Sequence, residues 1–248
     1  MKVQTWPEYP ASRTWMLRAL TAASVIGMAV AFYLSLFYVG MDAKQGNVQR
    51  VFYMHVGAFT GGTTAFFITV VAGIAYLITR KTAWDRLAVS SVEIGLPLMT
   101  ITLVTGMIWA KPIWGAWWTN DERLNSMAVM WLLYAAYLTL RGAIVSPDRR
   151  ARFAAVYGIL AFVSVIYTTI VIRLNTASTL HPVVIGPGPD NPLAKGAFEV
   201  RADPRMVMTL AIGSVVWMLA ACTLIWYRLR LEDVAERLQI LKMRLLNQ

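Results

Sequence analysis

Residues 114–126 read W-G-A-W-W-T-N-D-E-R-L-N-S, so Trp114, Trp117 and Trp118 fall within five residues and are followed by Asp121 and Arg123. Indole is the largest flat apolar face a side chain offers, and stacking a planar ligand on it removes apolar area from water at roughly 25 cal/mol per Å². An arginine fork beside such faces matches a carboxylate through two parallel hydrogen bonds. Together these residue types suit the noncovalent holding of a large planar ligand that carries carboxylates. A second reading is an aromatic belt at a membrane interface, where Trp is enriched. Scattered Trp109, Trp131 and Trp217 fit that belt, whereas the close spacing at 114–118 and the flanking Gly115 fit it poorly. Asp121 also has a structural alternative, because Asp-x-x-Leu-x-Ser ahead of an apolar run marks a helix N-cap, or an orienter of Arg123.

The chain holds two histidines, His55 in V-Q-R-V-F-Y-M-H-V and His181 in N-T-A-S-T-L-H-P-V. Two neutral imidazoles approaching from opposite sides are a standard way to hold a haem iron. A lone histidine near a helix end is more often only hydrogen-bonded; two on the face that carries the tryptophans argue for a shared ligand. Arg50, Lys111 and Arg173 are further cations that could meet its propionates. The single cysteine, Cys222, excludes C-x-x-C redox chemistry and covalent C-x-x-C-H haem attachment. H-E-x-x-H, a Ser-His-Asp set and the G-x-x-x-x-G-K-[ST] phosphate loop are all absent from the sequence, so the chain reads as no enzyme, and any nucleotide hydrolysis belongs to a partner.

These residues must be positioned by a membrane fold. Of the 248 residues 58% are hydrophobic and 15% charged, against about 25% charged in soluble domains, and the mean hydropathy is +0.55. A hydrocarbon core about 30 Å thick takes roughly 20 apolar residues per helical crossing. Six segments qualify: about 17–40, 51–79, 87–110, 126–145, 153–173 and 206–228. The first is too long for a cleaved signal peptide and is expected to be a retained anchor. The expected fold is all-α: a polytopic membrane protein with six transmembrane helices. Most of the 23 Lys and Arg residues then lie on one side, with Arg80, Lys81, Arg86, Arg141, Arg149, Arg150 and Arg152 in the short loops, which places both termini in the cytoplasm. The net charge of +10 follows from contact with the lipid bilayer and implies no nucleic-acid partner. This topology gathers the Trp-rich loop 111–125, the Pro- and Gly-rich loop 174–205 and the His55 end of the second helix on the outer face.

W-G-A-W-W-T-N-D-E-R-L-N-S resembles the tryptophan-rich signature W-G-x-W-W-x-W-D-x-R-L-T-S of the haem-handling proteins of cytochrome c biogenesis. T-G-M-I-W-A-K-P-I-W-G before it, R-V-F-Y-M-H-V around His55 and the six-segment size are similar to the heme exporter protein C family in particular, over about residues 17–228. The resemblance implies haem b held noncovalently and transiently at the periplasmic face of a bacterial inner membrane. His55 and His181 would be the axial metal ligands and Trp114, Trp117 and Trp118 the platform, with Asp121 and Arg123 on the motif's acidic and basic positions. It also implies delivery to a periplasmic haem chaperone, as a subunit beside the membrane and ATPase subunits of an ABC transporter. Four departures stand out: Asn120 for the third tandem Trp, Asn125 for Thr, Gly57 for the Pro that usually follows the first His, and only T-L-H around His181.

The expected organisation is a haem-handling domain over 1–228 and an amphipathic cytoplasmic helix over 229–248, with Leu231, Val234, Leu238, Leu241 and Leu245 at alternating spacings of three and four; too short for a stable isolated coiled coil, it is expected to lie on the inner membrane surface or against a partner subunit. Glu93 and Pro97 are expected to interrupt the third helix; Glu93, as an intramembrane carboxylate, is a functional candidate that could instead pair with an arginine such as Arg86 or face a partner subunit. Gly57 and Gly61 form a G-x-x-x-G suited to close helix approach. Two other functions remain open at this level: a component of a haem-attachment synthase machine, and a cofactor-free membrane transporter or scaffold.

Overall fold

The computed structural model describes residues 11–174, 179–181 and 203–246. Six α-helices account for nearly all of them: α1 (Ala11–Tyr33), α2 (Arg50–Thr79), α3 (Thr82–Trp114), α4 (Glu122–Ala143), α5 (Pro147–Leu174) and α6 (Pro204–Leu246). A π-helical turn, Leu34–Tyr38, prolongs α1, and a 3₁₀ turn, Asn47–Gln49, leads into α2. Among the described residues the only β pairing is an isolated bridge between Asp42 and Gly46. The chain is an all-α, multi-pass membrane protein: five spans, Arg13–Tyr38, Asn47–Thr79, Thr82–Trp114, Pro147–Val171 and Pro204–Met243, are long and apolar enough to cross a bilayer. The expected fourth crossing falls outside this set. α4 is the shortest of the six helices, 22 residues, and it opens with Glu122, Arg123 and Asn125 and closes with Arg141.

α2 is the central helix, packed against α3, α5 and α6. Small residues make this possible, since without large side chains two helix backbones approach closely. A methyl group on Gly61 would lie 2.9 Å from the backbone oxygen of Trp217 in α6, and one on Gly62 would lie 2.8 Å from Met99 Cε in α3. The indole of Trp217 occupies the space a side chain at Gly57 would need. Trp217 is therefore a packing residue, 9% exposed, and not part of an interfacial belt. Gly61→Leu is expected to destabilise the fold by about 1–3 kcal/mol through overpacking against immovable backbone; a lowered Tm in detergent would register it, and an unchanged Tm would contradict this packing. On the other side of α2, Phe66 stacks parallel to Tyr134 within a core that includes Val92, Met99, Met130, Tyr137 and Val165.

The polar residues of the helices pair across the bundle. α3 passes through Glu93 and Pro97 unbroken, contrary to the expectation. Glu93 is bound by Arg228 of α6 (Nε–Oε2 2.8 Å) rather than by Arg86. Arg86 instead holds Glu232, Asp233 and Glu236, and Asp85 receives Arg141 of α4 through both guanidinium branches. These pairs fix how α6 lies along α3. They also explain why α6 continues without a break through 229–246: its first turns beyond the apolar span are tied to the bundle, and the rest prolongs a helix already nucleated.

Candidate functional site

The Trp-rich end of the bundle is assembled from the start of α2, the end of α3, the start of α4 and residues 179–181. α3 runs further than expected, to Trp114, and stops because Gly115 takes a left-handed conformation (φ 77°) with its N–H donating to the Lys111 carbonyl at 3.0 Å. Lys111 Nζ donates to the Gly115 carbonyl at 3.0 Å. Trp114 is thus the last residue of a helix, correcting its expected place in the connection, and the connection itself shrinks to 115–121.

His55 lies against α3. Its Nδ1 is 2.9 Å from the carbonyl oxygen of Thr102 and 3.3 Å from Thr105 Oγ1. A backbone carbonyl can only accept, so Nδ1 carries the proton and Nε2 keeps its lone pair. That is the tautomer an iron-binding imidazole needs, with the second-shell bond that orients it. Gly106 makes room for the ring: a methyl group there would lie 3.0 Å from His55 Cε1.

Trp109 lies on the same face of α3 as Thr102 and Thr105, at successive helical turns. The sequence reading gave it to an interfacial belt; the structure buries it to 9% exposure. Its Nε1 donates to Gln45 Oε1 at 2.8 Å, its ring meets Trp114 edge-on with centroids 5.0 Å apart, and it lies 6.4 Å from the ring of His181. Gln45 is itself held because its N–H donates to Asp42 Oδ1 at 2.7 Å. His55 and His181 therefore address one face of α3, about a turn apart. Trp109 and Gln45 are the residues missed from sequence. The signal for Trp109 was its place in the same terminal turns as Trp114; for Gln45 there was none.

Asp121 is 2% exposed and does its work inside the protein. Oδ1 accepts from the N–H groups of Arg123 (2.9 Å) and Leu124 (3.4 Å), capping α4. Oδ2 accepts from the Leu180 N–H at 2.6 Å. One carboxylate thus starts α4 and tethers the residue beside His181. Arg123 Nη1 donates to the Thr168 carbonyl of α5 at 2.8 Å, and its guanidinium lies 5.6 Å from the ring of Phe59, one turn along α2 from His55. Trp117 and Trp118 face outward, 53% and 39% exposed, while Trp114 packs on Trp109. The three tryptophans are therefore divided into one inner and two outer indoles. Of the Pro- and Gly-rich loop, 175–178 and 182–202 lie outside the described residues.

Among the described residues no group of three or more His, Cys, Asp or Glu side chains is placed to hold a bare metal ion. Two imidazoles suit a metal that already brings four equatorial ligands, as haem iron does. The family model described as CcmC: Heme exporter protein C matches residues 6–244. Similar proteins include the heme exporter protein C of Rhodobacter capsulatus, 30% identical over 155 residues (62% of this chain, 63% of that protein). That of Paracoccus denitrificans is 30% identical over 142 residues (57% of each). That of Escherichia coli (strain K12) is 29% identical over 217 residues (87% of this chain, 83% of that protein). The chain thus spans less than two thirds of the first two relatives and most of the third.

Proposed function

Because the chain belongs to the heme exporter protein C family, we propose that it carries haem b, noncovalently and transiently, at the Trp-rich end of the bundle. The observation that supports this most is His55, fixed by the Thr102 carbonyl in the tautomer that leaves Nε2 as a ligand, with His181 beside Trp109, two turns beyond Thr102 on α3. In this reading His55 and His181 are the axial ligands, and Trp114, Trp117 and Trp118 cover the porphyrin faces and edge. Asp121 and Arg123 hold the frame, Arg123 with a guanidinium suited to a propionate. The role is that of a carrier and not of an enzyme: the chain's own residues orient and shield the ligand and break no bond in it.

The basic short loops support an outer position for this end. The proposal therefore includes six crossings, α4 among them, both termini in the cytoplasm of a bacterium, and a haem site on the periplasmic face of the inner membrane. It includes the partners the family resemblance implies: a periplasmic haem chaperone that takes the ligand, and the membrane and ATPase subunits of an ABC transporter.

Absorption spectra of the detergent-purified protein test the core of the reading. Wild type is expected to show a Soret band with sharp bands on reduction, and His55→Ala and His181→Ala each to weaken or shift them. Wild-type protein that stays colourless and takes up no added haem would leave a cofactor-free membrane scaffold. A response confined to His55→Ala would require a second ligand other than His181.

A further inference from the structure

The end of the molecule away from the tryptophans carries a surface that haem binding does not use. Span Pro204–Met243 covers 40 residues, about 60 Å of helix and twice a hydrocarbon core, so roughly half of α6 stands outside the bilayer. Beyond Tyr227 come Arg228, Arg230, Glu232 and Asp233, which marks the exposed half. Along it Leu231, Val234, Leu238, Leu241 and Leu245 occupy the a and d positions of two heptads, and they are 64%, 48%, 61%, 44% and 72% exposed. The opposite side of the same helix, Glu232, Asp233 and Glu236, is bound to Arg86. The apolar stripe is therefore turned away from the bundle and held there.

The charges beside the stripe say what can cover it. Its flanking e and g positions are Arg230, Ala235, Arg237, Lys242 and Arg244 in the sequence, cations with no anion among them. A second copy of this helix would set cation against cation, whether g met e in a parallel pair or g met g in an antiparallel one. A bilayer surface accepts an apolar stripe flanked by cations, but α6 leaves its membrane span as one continuous helix, and laying it flat would break the Arg86 pairs. We propose that this stripe docks an amphipathic helix of a partner protein, apolar at its own a and d positions and rich in Glu or Asp beside them. Two heptads alone are a marginal helix; here the bundle has already formed it, so the partner does not have to supply the ordering.

The test uses the full chain in its native membrane, with a photocrosslinking side chain at Leu238 or Leu241 and, as a control on the opposite face, at Glu236. Adducts with a different protein are expected from 238 and 241 only, with mass spectrometry placing the joined peptide in an acidic, heptad-patterned segment. Arg237→Glu combined with Lys242→Glu should reduce the yield severalfold while leaving the protein folded by size exclusion. An adduct of twice the chain's mass would assign the stripe to a second copy, lipid adducts alone would assign it to the membrane surface, and no adduct would leave it solvated; each overturns the proposal. A defined probe gives an independent reading. A synthetic three-heptad helix with Leu at a and d and Glu at e and g should bind the chain in nanodiscs at least about tenfold more tightly than its Lys counterpart. Equal binding of the two would also overturn it.

Discussion

Gly106→Leu is expected to lower the haem that the purified protein retains at least about tenfold, the scale on which support of a metal ligand usually matters. The substitution replaces neither a proposed ligand nor a tryptophan. It places a side chain where the nearest neighbour is His55 Cε1, at 3.0 Å from even a methyl group. The imidazole must then leave α3 and lose its bond to the Thr102 carbonyl, and with it both the tautomer and the direction of Nε2. Haem titration followed at the Soret band measures the effect. Gly142→Leu is the control, since a methyl group there meets nothing within 4 Å and the variant should bind as wild type. Undiminished binding by a folded Gly106→Leu protein would mean that His55 does not act from the position the structure gives it.

Asp121→Ala is expected to have the second large effect, and a different one. The α4 N-cap disappears, at about 1 kcal/mol, and the Leu180 N–H loses a charged acceptor, at about 1.5–3 kcal/mol. The helix start should fray modestly, whereas residues 179–181 lose the tether that keeps His181 beside Trp109. Amide hydrogen exchange should therefore rise most at Leu180 and His181, and the haem spectrum should move toward that of His181→Ala while the His55 side stays in place. If exchange rose only within the first turn of α4, the bond to Leu180 would have no positioning role. Asp121 matches its motif position, yet the structure turns both its oxygens toward backbone N–H groups. Its place in the signature follows from holding two segments together, without requiring contact with the ligand.

Much of the architecture was legible in the sequence, because the signal for a membrane helix is local. Five of the six apolar runs reappear as long apolar spans, and a run of about 20 apolar residues needs no distant partner to identify it. Helix ends were less legible. α3 reaches Trp114 because its stop is set by the left-handed Gly115 and not by hydropathy, and α6 keeps its helical form past the apolar run because Arg86 of α3 binds Glu232, Asp233 and Glu236, about one turn of that helix. The ion pairs were misassigned for the same reason. Glu93 and Arg86 are two turns apart on one helix, and choosing Arg228 as the true partner of Glu93 needs the register of α6 on α3.

The residue types alone determined the class of the protein and which side-chain groups are available at its Trp-rich end: apolar spans that require a bilayer, two imidazoles in the whole chain, and indoles, a carboxylate and a guanidinium packed into one short segment. Tertiary structure decided what each of these does. It alone moved Trp109 from an apparent belt into the contact between Trp114 and His181, made Asp121 a tether, split the tryptophans into one inner and two outer, and set the proton of His55 on Nδ1. For Trp109, Asp121 and His55 the physical reason is the same. Their partners Gln45, Leu180 and Thr102 lie tens of residues away in the chain, and no local pattern records which segments will face each other.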